Sequence, residues 1–133
     1  MKFSPEQEFV IGGYKPSGAS FDSILVGCYD GKRLLFAGKV RAGFTPHTRA
    51  EVFARIANSP RATSPFSNLP NSTGRSHWGE GVTAEDMKAL TWVTPRTVVQ
   101  VSFVEWTRGG SLRHAKFVGL RDDKPARAVS RHR

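Results

Sequence analysis

Residues 23–40 read SILVGCYDGKRLLFAGKV, and this stretch predicts two antiparallel strands. Its two halves, 23–30 and 34–40, are rich in β-branched and aromatic residues, which favour strands. Between them lies Asp30-Gly31, a pair typical of tight hairpin turns because glycine tolerates the left-handed backbone that such turns need. The stretch therefore predicts a β-hairpin.

One more strand precedes this hairpin. The segment EFVIGGY (8–14) has the same apolar, strand-favouring character. Its Gly12-Gly13 pair predicts a bulge or a sharp bend, of the kind that the corners of a β-barrel require.

An amphipathic helix is predicted after the hairpin, over residues 45–60 (TPHTRAEVFARIANSP). Thr45 followed by Pro46 suits an N-cap with proline at the first helical position. Thr48 and Glu51 also fit a capping box that starts one turn later. An apolar stripe near helical spacing comprises Ala50, Phe53, Ala54 and Ile56.

The second half of the chain predicts two further strands. In VVQVSFVEW (98–106), Val99, Val101 and Phe103 alternate onto one face, which indicates a half-buried strand. The segment 112–120 is predicted as the final strand, with weaker alternation. The remaining segments are a long connection at 59–81, a short helix at 83–90 and a turn at 107–111.

This order predicts an all-β protein of one domain spanning residues 1–133. Three strands, a helix, a long loop and two strands are the layout of a five-stranded OB-fold, a barrel with one main helix after the third strand. An SH3-like barrel is the rival fold, but it usually lacks a helix of this length. OB-folds commonly bind nucleic acid across one face of the barrel.

The charge of the chain points to an anionic partner. The net charge is +9, and residues 108–133 hold eight Lys or Arg and two Asp, a net of +6. Such clustering is typical of proteins that bind nucleic acid or nucleotide phosphates, although a basic surface also serves solubility alone. The N-terminus has no apolar signal-peptide core, no apolar run approaches the ~20 residues of a membrane span, and Cys28 has no disulfide partner. These features predict a cytoplasmic protein with Cys28 in its core.

Two features of the sequence carry candidate chemistry. The first is the interleaving of basic and aromatic residues, because basic groups bind phosphates and aromatic faces stack on bases. The interleaved residues are Lys39, Arg41 and Phe44, then Trp106 and Arg108, and Arg113 and Lys116 are further candidates for binding nucleic acid. The second is GLRDDKP at 119–125, where Arg121 and Lys124 are spaced to converge on one polyphosphate. From the residues alone, a solvated charge run explains this stretch slightly better. The sequence has no zinc-ligand spacing, and no metal ligand is predicted.

Several motifs in order resemble the C-terminal OB domain of bacterial ATP-dependent DNA ligases, most closely the ligase D type of end-joining repair. They are EFVIGGY, YDG with LLFAGKVRAGF, SPF, Trp92-Val93-Thr94-Pro95, FVEWT and LRHAKFVGLRDDKPAR. The resemblance covers roughly residues 7–129, which is nearly the whole chain. In that family RxDK is the last nucleotidyltransferase motif, and here it is Arg121-Asp122-Asp123-Lys124.

The resemblance implies that Arg121 and Lys124 reach the β and γ phosphates of ATP when the domain closes on a nucleotidyltransferase domain, in cis or in trans. Asp123 would hold the two cations in place. ATP and Mg²⁺ are the implied cofactors, shared with that second domain. The implied DNA partner is a nicked or broken duplex, with Lys39 and Arg41 as the first candidates for backbone contact, and the protein is expected to be a nucleoid-associated monomer that does not bind membranes.

One departure from the family concerns the nucleophile. The family nucleophile is the lysine of a Lys-x-Asp-Gly motif, but Cys28 stands where that lysine would precede Asp30-Gly31. The chain is therefore expected to be an excised domain, a truncated product or half of a split enzyme, and to be inactive alone. Two alternatives remain open: a free-standing OB module that binds DNA or RNA without catalysis, and a fragment of an RNA-capping guanylyltransferase.

Overall fold

The computed structural model describes residues 6–18, 20–61, 65–67, 90–106, 112–121, 125 and 129. It has one helix and nine strands within these ranges. They are β1 Glu6–Ser17, β2 Ser20–Asp30, β3 Arg33–Val40, α1 Pro46–Ile56, β4 Pro60–Arg61, β5 Thr91–Val93, β6 Val98–Ser102, β7 Glu105–Trp106, β8 Leu112–Arg113 and β9 Lys116–Leu120. The predicted short helix at 83–90 lies outside the described residues, except for Leu90.

Five of these strands close into a barrel. Strand β1 pairs with β2 and β6, β2 pairs with β3, and β6 pairs with β9, all antiparallel. A parallel bridge between Ala42 and Lys116 closes the circuit, and the amide of Phe117 donates to the carbonyl of Ala42 at 2.9 Å. The predicted five-stranded OB-fold, with its helix after the third strand, is confirmed.

The first half of the barrel follows the local signals in the sequence. A register shift between Ile11 and Gly13 confirms the predicted bulge. The predicted hairpin is also confirmed, with Asp30 opposite Arg33 as its last pair. The turn itself is therefore Gly31-Lys32, one residue later than Asp30-Gly31. Gly31 has φ +67°, a backbone conformation that glycine adopts at low cost.

The helix begins as predicted but buries a different face. The Thr45 hydroxyl accepts from the Thr48 amide at 3.1 Å, and the Thr48 hydroxyl accepts from the Thr45 amide at 2.8 Å, so the capping box starts at Thr45 rather than at Thr48. The helix ends at Ile56. Its buried residues are Val52 and Ile56, Phe53 is half-buried, and Ala50 and Ala54 are exposed. The predicted stripe was wrong at both alanines, because the helix contacts the barrel through a narrower face.

Each of the two predicted C-terminal strands is divided. Val99, Val101 and Phe103 are buried as predicted, but β6 ends at Ser102. Strand β7 instead pairs with β8 in a separate two-stranded sheet. His114, with φ +57°, turns the chain between β8 and β9. A non-glycine residue rarely adopts this left-handed backbone, so the sequence carries no strong signal of the break.

Gly43 is required where the barrel closes. A Cβ atom there would lie 2.3 Å from the carbonyl oxygen of Phe117, and φ is +93°. Gly43→Ala should therefore lower the free energy of unfolding by about 2–3 kcal/mol, measured by urea denaturation. The matched control is Gly119→Ala in β9, where a Cβ would meet no atom within 4 Å. Equal stability of the two variants would contradict this account of the closure.

Candidate functional site

Arg121 directly follows the last strand of the barrel. Its amide donates to the carbonyl of Val98 at 2.9 Å, which extends the contact between β9 and β6 by one residue. Its side chain is 35% exposed, so it is partly sheltered yet accessible from solvent. The barrel therefore holds the start of the RDDK motif at a defined position.

The guanidinium of Arg121 lies across two strands. Its Nη1 donates to Oε1 of Gln100 at 2.9 Å and lies 3.0 Å from Oε2 of Glu8. Glu8 and Gln100 are register partners in β1 and β6, so both side chains lie on the same face of the barrel wall. The side-chain Nε2 of Gln100 donates in turn to Oε1 of Glu6. We call these four residues, Glu6, Glu8, Gln100 and Arg121, the Arg121 cluster.

The ion pair in the Arg121 cluster is more sheltered than other pairs on the surface. Glu8 is 21% exposed, whereas the partners in Arg113–Glu105 are 50% and 55% exposed. Water and salt screen a partly buried pair less than an exposed one. The charge-assisted contact with Glu8 should therefore orient Arg121 more strongly than a surface ion pair would.

The other residues of the motif lie outside the described part of the chain. This applies to Asp123 and Lys124, whose predicted roles stay predictions. The chain contacts the barrel again at Val129, which is buried and whose carbonyl accepts from the amide of Tyr29 at 2.9 Å. The segment that carries the motif is thus attached to the barrel on both sides, at Arg121 and at Val129.

Two of the candidate DNA-binding residues, Arg41 and Lys116, lie at or next to the bridge that closes the barrel. Arg41 immediately precedes the Ala42–Lys116 bridge, and the Lys116 side chain lies beside Gly43. Arg41 and Lys116 are both exposed, whereas Lys39 is half-buried. Arg41 lies 3.6 Å from Asp22. No ion pair with another described residue is seen for Lys39 or Lys116. Arg41 and Lys116 place positive charge beside the bridge that closes the barrel, and we call the surface formed by these two residues the seam.

The remaining basic candidates are Arg113 and Arg108. Arg113 is in the small β7–β8 sheet, where it pairs with Glu105 at 3.2 Å. Arg108 lies outside the described residues. Arg113 is therefore in a different sheet from Lys116, which lies in β9.

Phe44 is packed into an aromatic cluster. Its ring stacks on Phe117 with centroids 4.6 Å apart, meets Phe21 edge-on at 5.0 Å, and has the guanidinium carbon of Arg49 5.2 Å from its centroid. Arg49 is itself held by the carbonyl of Phe21 at 2.6 Å. Phe44 is half-buried, and one of its faces is covered by Phe117. Its role in base stacking stays a prediction.

Sequence reasoning did not identify Glu8 and Gln100. The alternation in VVQVS places Gln100 opposite the buried Val99 and Val101, which marks it as a residue on the outer face. However, its meeting with Glu8 depends on the pairing of β1 with β6, two strands separated by most of the chain.

Comparisons with known proteins agree on one family. The family model described as the C-terminal region of ATP-dependent DNA ligases matches residues 17–124. The multifunctional non-homologous end joining protein LigD of Pseudomonas aeruginosa is 36% identical over the whole chain. The corresponding LigD of Mycobacterium tuberculosis is 33% identical over 94% of the chain. The chain spans 15% of the length of each of these relatives.

Solved structures show the same relationship. The crystal structure of the ligase domain from M. tuberculosis LigD has a TM-score of 0.80 and 32% identity, over 96% of this chain and 39% of that one. The structure of mycobacterial DNA ligase D complexed with ATP and MES has a TM-score of 0.78 and 33% identity, over 98% of this chain and 39% of that one. At 32% and 33% identity, these structures resemble the chain in sequence as well as in fold.

Proposed function

Because the chain belongs to the family of ATP-dependent DNA ligase C-terminal regions, we propose that it serves as the OB domain that completes the adenylation site of a ligase. The observation that carries the proposal is Arg121, which is held by Glu8 and Gln100 on the outer face of the barrel and remains partly exposed. A guanidinium offers a planar fork that matches phosphate oxygens, so the residue present fits a triphosphate.

In the proposed reaction, this chain acts on the leaving group. ATP supplies the adenylyl group. The Nζ of a lysine in the nucleotidyltransferase domain loses a proton and bonds to the α phosphorus. The bond between the α phosphorus and the oxygen that bridges it to the β phosphorus breaks, and pyrophosphate departs with the electron pair. Arg121 and Lys124 bind the β and γ phosphates, align them opposite the attacking lysine and stabilise the charge that develops on the leaving oxygen. Asp123 holds these cations in place.

Mg²⁺ is proposed to accompany the triphosphate. The described residues contain no group of three or more His, Cys, Asp or Glu side chains that could hold a metal ion. The metal would be shared between ATP and the nucleotidyltransferase domain, where it would neutralise charge on the phosphates.

The proposal is tested by restoring adenylation in trans. An isolated nucleotidyltransferase domain of a ligase, which contains the nucleophilic lysine, is incubated with ATP with and without this chain, and the adenylated lysine is measured by mass spectrometry. We expect the chain to accelerate adenylation in a saturable manner. No acceleration at any concentration of the chain would contradict the proposal. The ligase family match favours this role over the free-standing nucleic-acid module and the capping-enzyme fragment.

After adenylation, we propose that the barrel turns another face to a nicked or broken duplex. The seam with Arg41 and Lys116, together with the half-buried Lys39, is the proposed contact with the DNA backbone, because lysine and arginine neutralise phosphates without reading the sequence. The working unit is proposed to be a monomer on the bacterial nucleoid, in the cytoplasm. In the described part of the chain, no helix has the length and apolar character needed to cross a membrane.

Lys116→Ala should weaken DNA binding without changing sequence preference. Losing one phosphate contact should reduce the magnitude of the negative slope of the log association constant against log salt concentration by about 1. The reduction should be equal for two duplexes of different sequence. The measurement is a salt titration by fluorescence anisotropy. The control is Lys32→Ala, an exposed lysine in the turn at the opposite end of β3 from the seam. If Lys32→Ala reduced the magnitude of the slope as much as Lys116→Ala does, the contact would not be localised at the seam.

A further inference from the structure

We propose that Glu8 is a positioning residue for Arg121, whose carboxylate holds the guanidinium in the orientation that meets the triphosphate. This inference rests on the proposed function, because it concerns the same site. The direct observation is the contact of 3.0 Å between Glu8 Oε2 and Arg121 Nη1, in a pair that is 21% and 35% exposed.

The support for Arg121 is rigid. Strands β1 and β6 pair through five consecutive residues, from Glu6 opposite Ser102 to Val10 opposite Val98. The neighbours of Glu8 and Gln100 in their strands, Phe9 and Val99, are fully buried. An arginine side chain has many rotamers, and acceptors fixed on two paired strands restrict them before the phosphate arrives. Such preorganisation lowers the entropy lost when the reacting groups are aligned.

Glu8 contributes more than Gln100 to this orientation because it is charged. A hydrogen bond between a guanidinium and a carboxylate is stronger than one to a neutral amide oxygen. The same negative charge also reduces the positive potential that a triphosphate meets at Arg121. Glu8 therefore favours correct alignment at the expense of affinity, and the two effects can be separated in kinetics.

The first test separates alignment from affinity. In the adenylation assay with the nucleotidyltransferase domain, Glu8→Ala should lower kcat about tenfold, which is less than the ~100-fold that a 1 Å misplacement can produce. The KM for ATP should stay the same or fall, because a negative charge near the phosphates is lost. A rise in KM with unchanged kcat would overturn the proposal.

The second test is a double-mutant cycle. If Glu8 acts through Arg121, Glu8→Ala should have no further effect on kcat in a chain that already carries Arg121→Ala. A structural role would instead slow both backgrounds by the same factor, and that result would overturn the proposal. If Arg121→Ala alone were as active as the unaltered chain, the proposed function itself would fail, which is a distinguishable outcome.

Two further variants keep the test decisive. Glu105→Ala removes a glutamate that is also paired with an arginine, at 3.2 Å from Arg113, and should leave kcat unchanged. Glu8→Gln keeps the shape and an acceptor oxygen but removes the charge, so its kcat should lie between those of Glu8→Ala and the unaltered chain. If thermal unfolding shows that Glu8→Ala does not fold, the cycle is run with Glu8→Gln. Slowing by the same factor in the unaltered and Arg121→Ala chains would then overturn the proposal.

Discussion

Arg121→Ala is expected to slow lysine adenylation by about 100-fold in the assay with the nucleotidyltransferase domain. Removing one group that stabilises developing charge in a sheltered site typically costs 10²–10³ in kcat. Arg121 fits that class because its guanidinium is held by two strands and is only 35% exposed. The loss should appear mainly in kcat, since alignment of the leaving group matters most in the transition state.

The fold should tolerate this substitution. The link between Arg121 and Val98 runs through the backbone amide, which alanine retains. Loss of the ion pair with Glu8 should lower the free energy of unfolding by about 1 kcal/mol at most, because both groups keep access to water. Thermal unfolding by circular dichroism checks this expectation and separates loss of activity from loss of structure.

The control for Arg121 is another arginine paired with a carboxylate. Arg33 lies 3.9 Å from Asp30 at the hairpin turn and is largely exposed. Arg33→Ala changes the net charge of the chain by the same amount and should leave adenylation unchanged. If both variants slowed adenylation equally, the effect would reflect overall charge, and the role assigned to Arg121 would be wrong.

Local sequence signals predicted the parts of the fold that depend on neighbouring residues. The bulge at Gly12-Gly13, the hairpin at Gly31 and the cap at Thr45 each arise from the backbone preferences of one or two residues. The break between β8 and β9 was missed, because the residue that adopts the left-handed backbone there is His114 rather than a glycine. The predicted helix stripe was wrong at Ala50 and Ala54, because tertiary packing, rather than spacing, decides which apolar residues a short helix buries.

The candidate site was predictable only in part. Arg121 was identified by the resemblance to a ligase motif, since its charge and spacing also fitted a solvated segment. Its partners were not predictable, because Glu8 and Gln100 are ordinary polar residues until the β1–β6 register places them together. Long-range pairing of this kind is set by the closure of the whole barrel.

Phe66→Ala is expected to destabilise the barrel more than Gly43→Ala does. Phe66 is only 4% exposed, and its ring packs edge-on to Phe36 and Trp92 at centroid distances of 5.6 and 6.3 Å. Its backbone forms a parallel bridge with Leu34, so both the ring and the backbone of Phe66 contact the barrel. Truncation should cost about 3–5 kcal/mol.

The measurement is urea denaturation, with Val118→Ala as the control. Val118 is an apolar residue of β9 that is 46% exposed, so its truncation should change the free energy of unfolding by less than about 0.5 kcal/mol. Similar losses for the two variants would contradict the assignment of Phe66 as an anchor.

A second substitution tests how the Phe66 ring is seated. A Cβ at Gly12 would lie 2.5 Å from the Phe66 ring, and its other close neighbour is the Pro65 side chain at 3.0 Å. Gly12→Ala should therefore lower the free energy of unfolding by about 1–3 kcal/mol in the unaltered chain, measured by urea denaturation. The loss should be much smaller in the Phe66→Ala background, where the clashing ring is absent. Gly27→Ala should remain costly in both backgrounds, because its Cβ would also lie 2.1 Å from the backbone carbonyl oxygen of Leu35. If the cost of Gly12→Ala were the same in both backgrounds, the ring would not rest on Gly12.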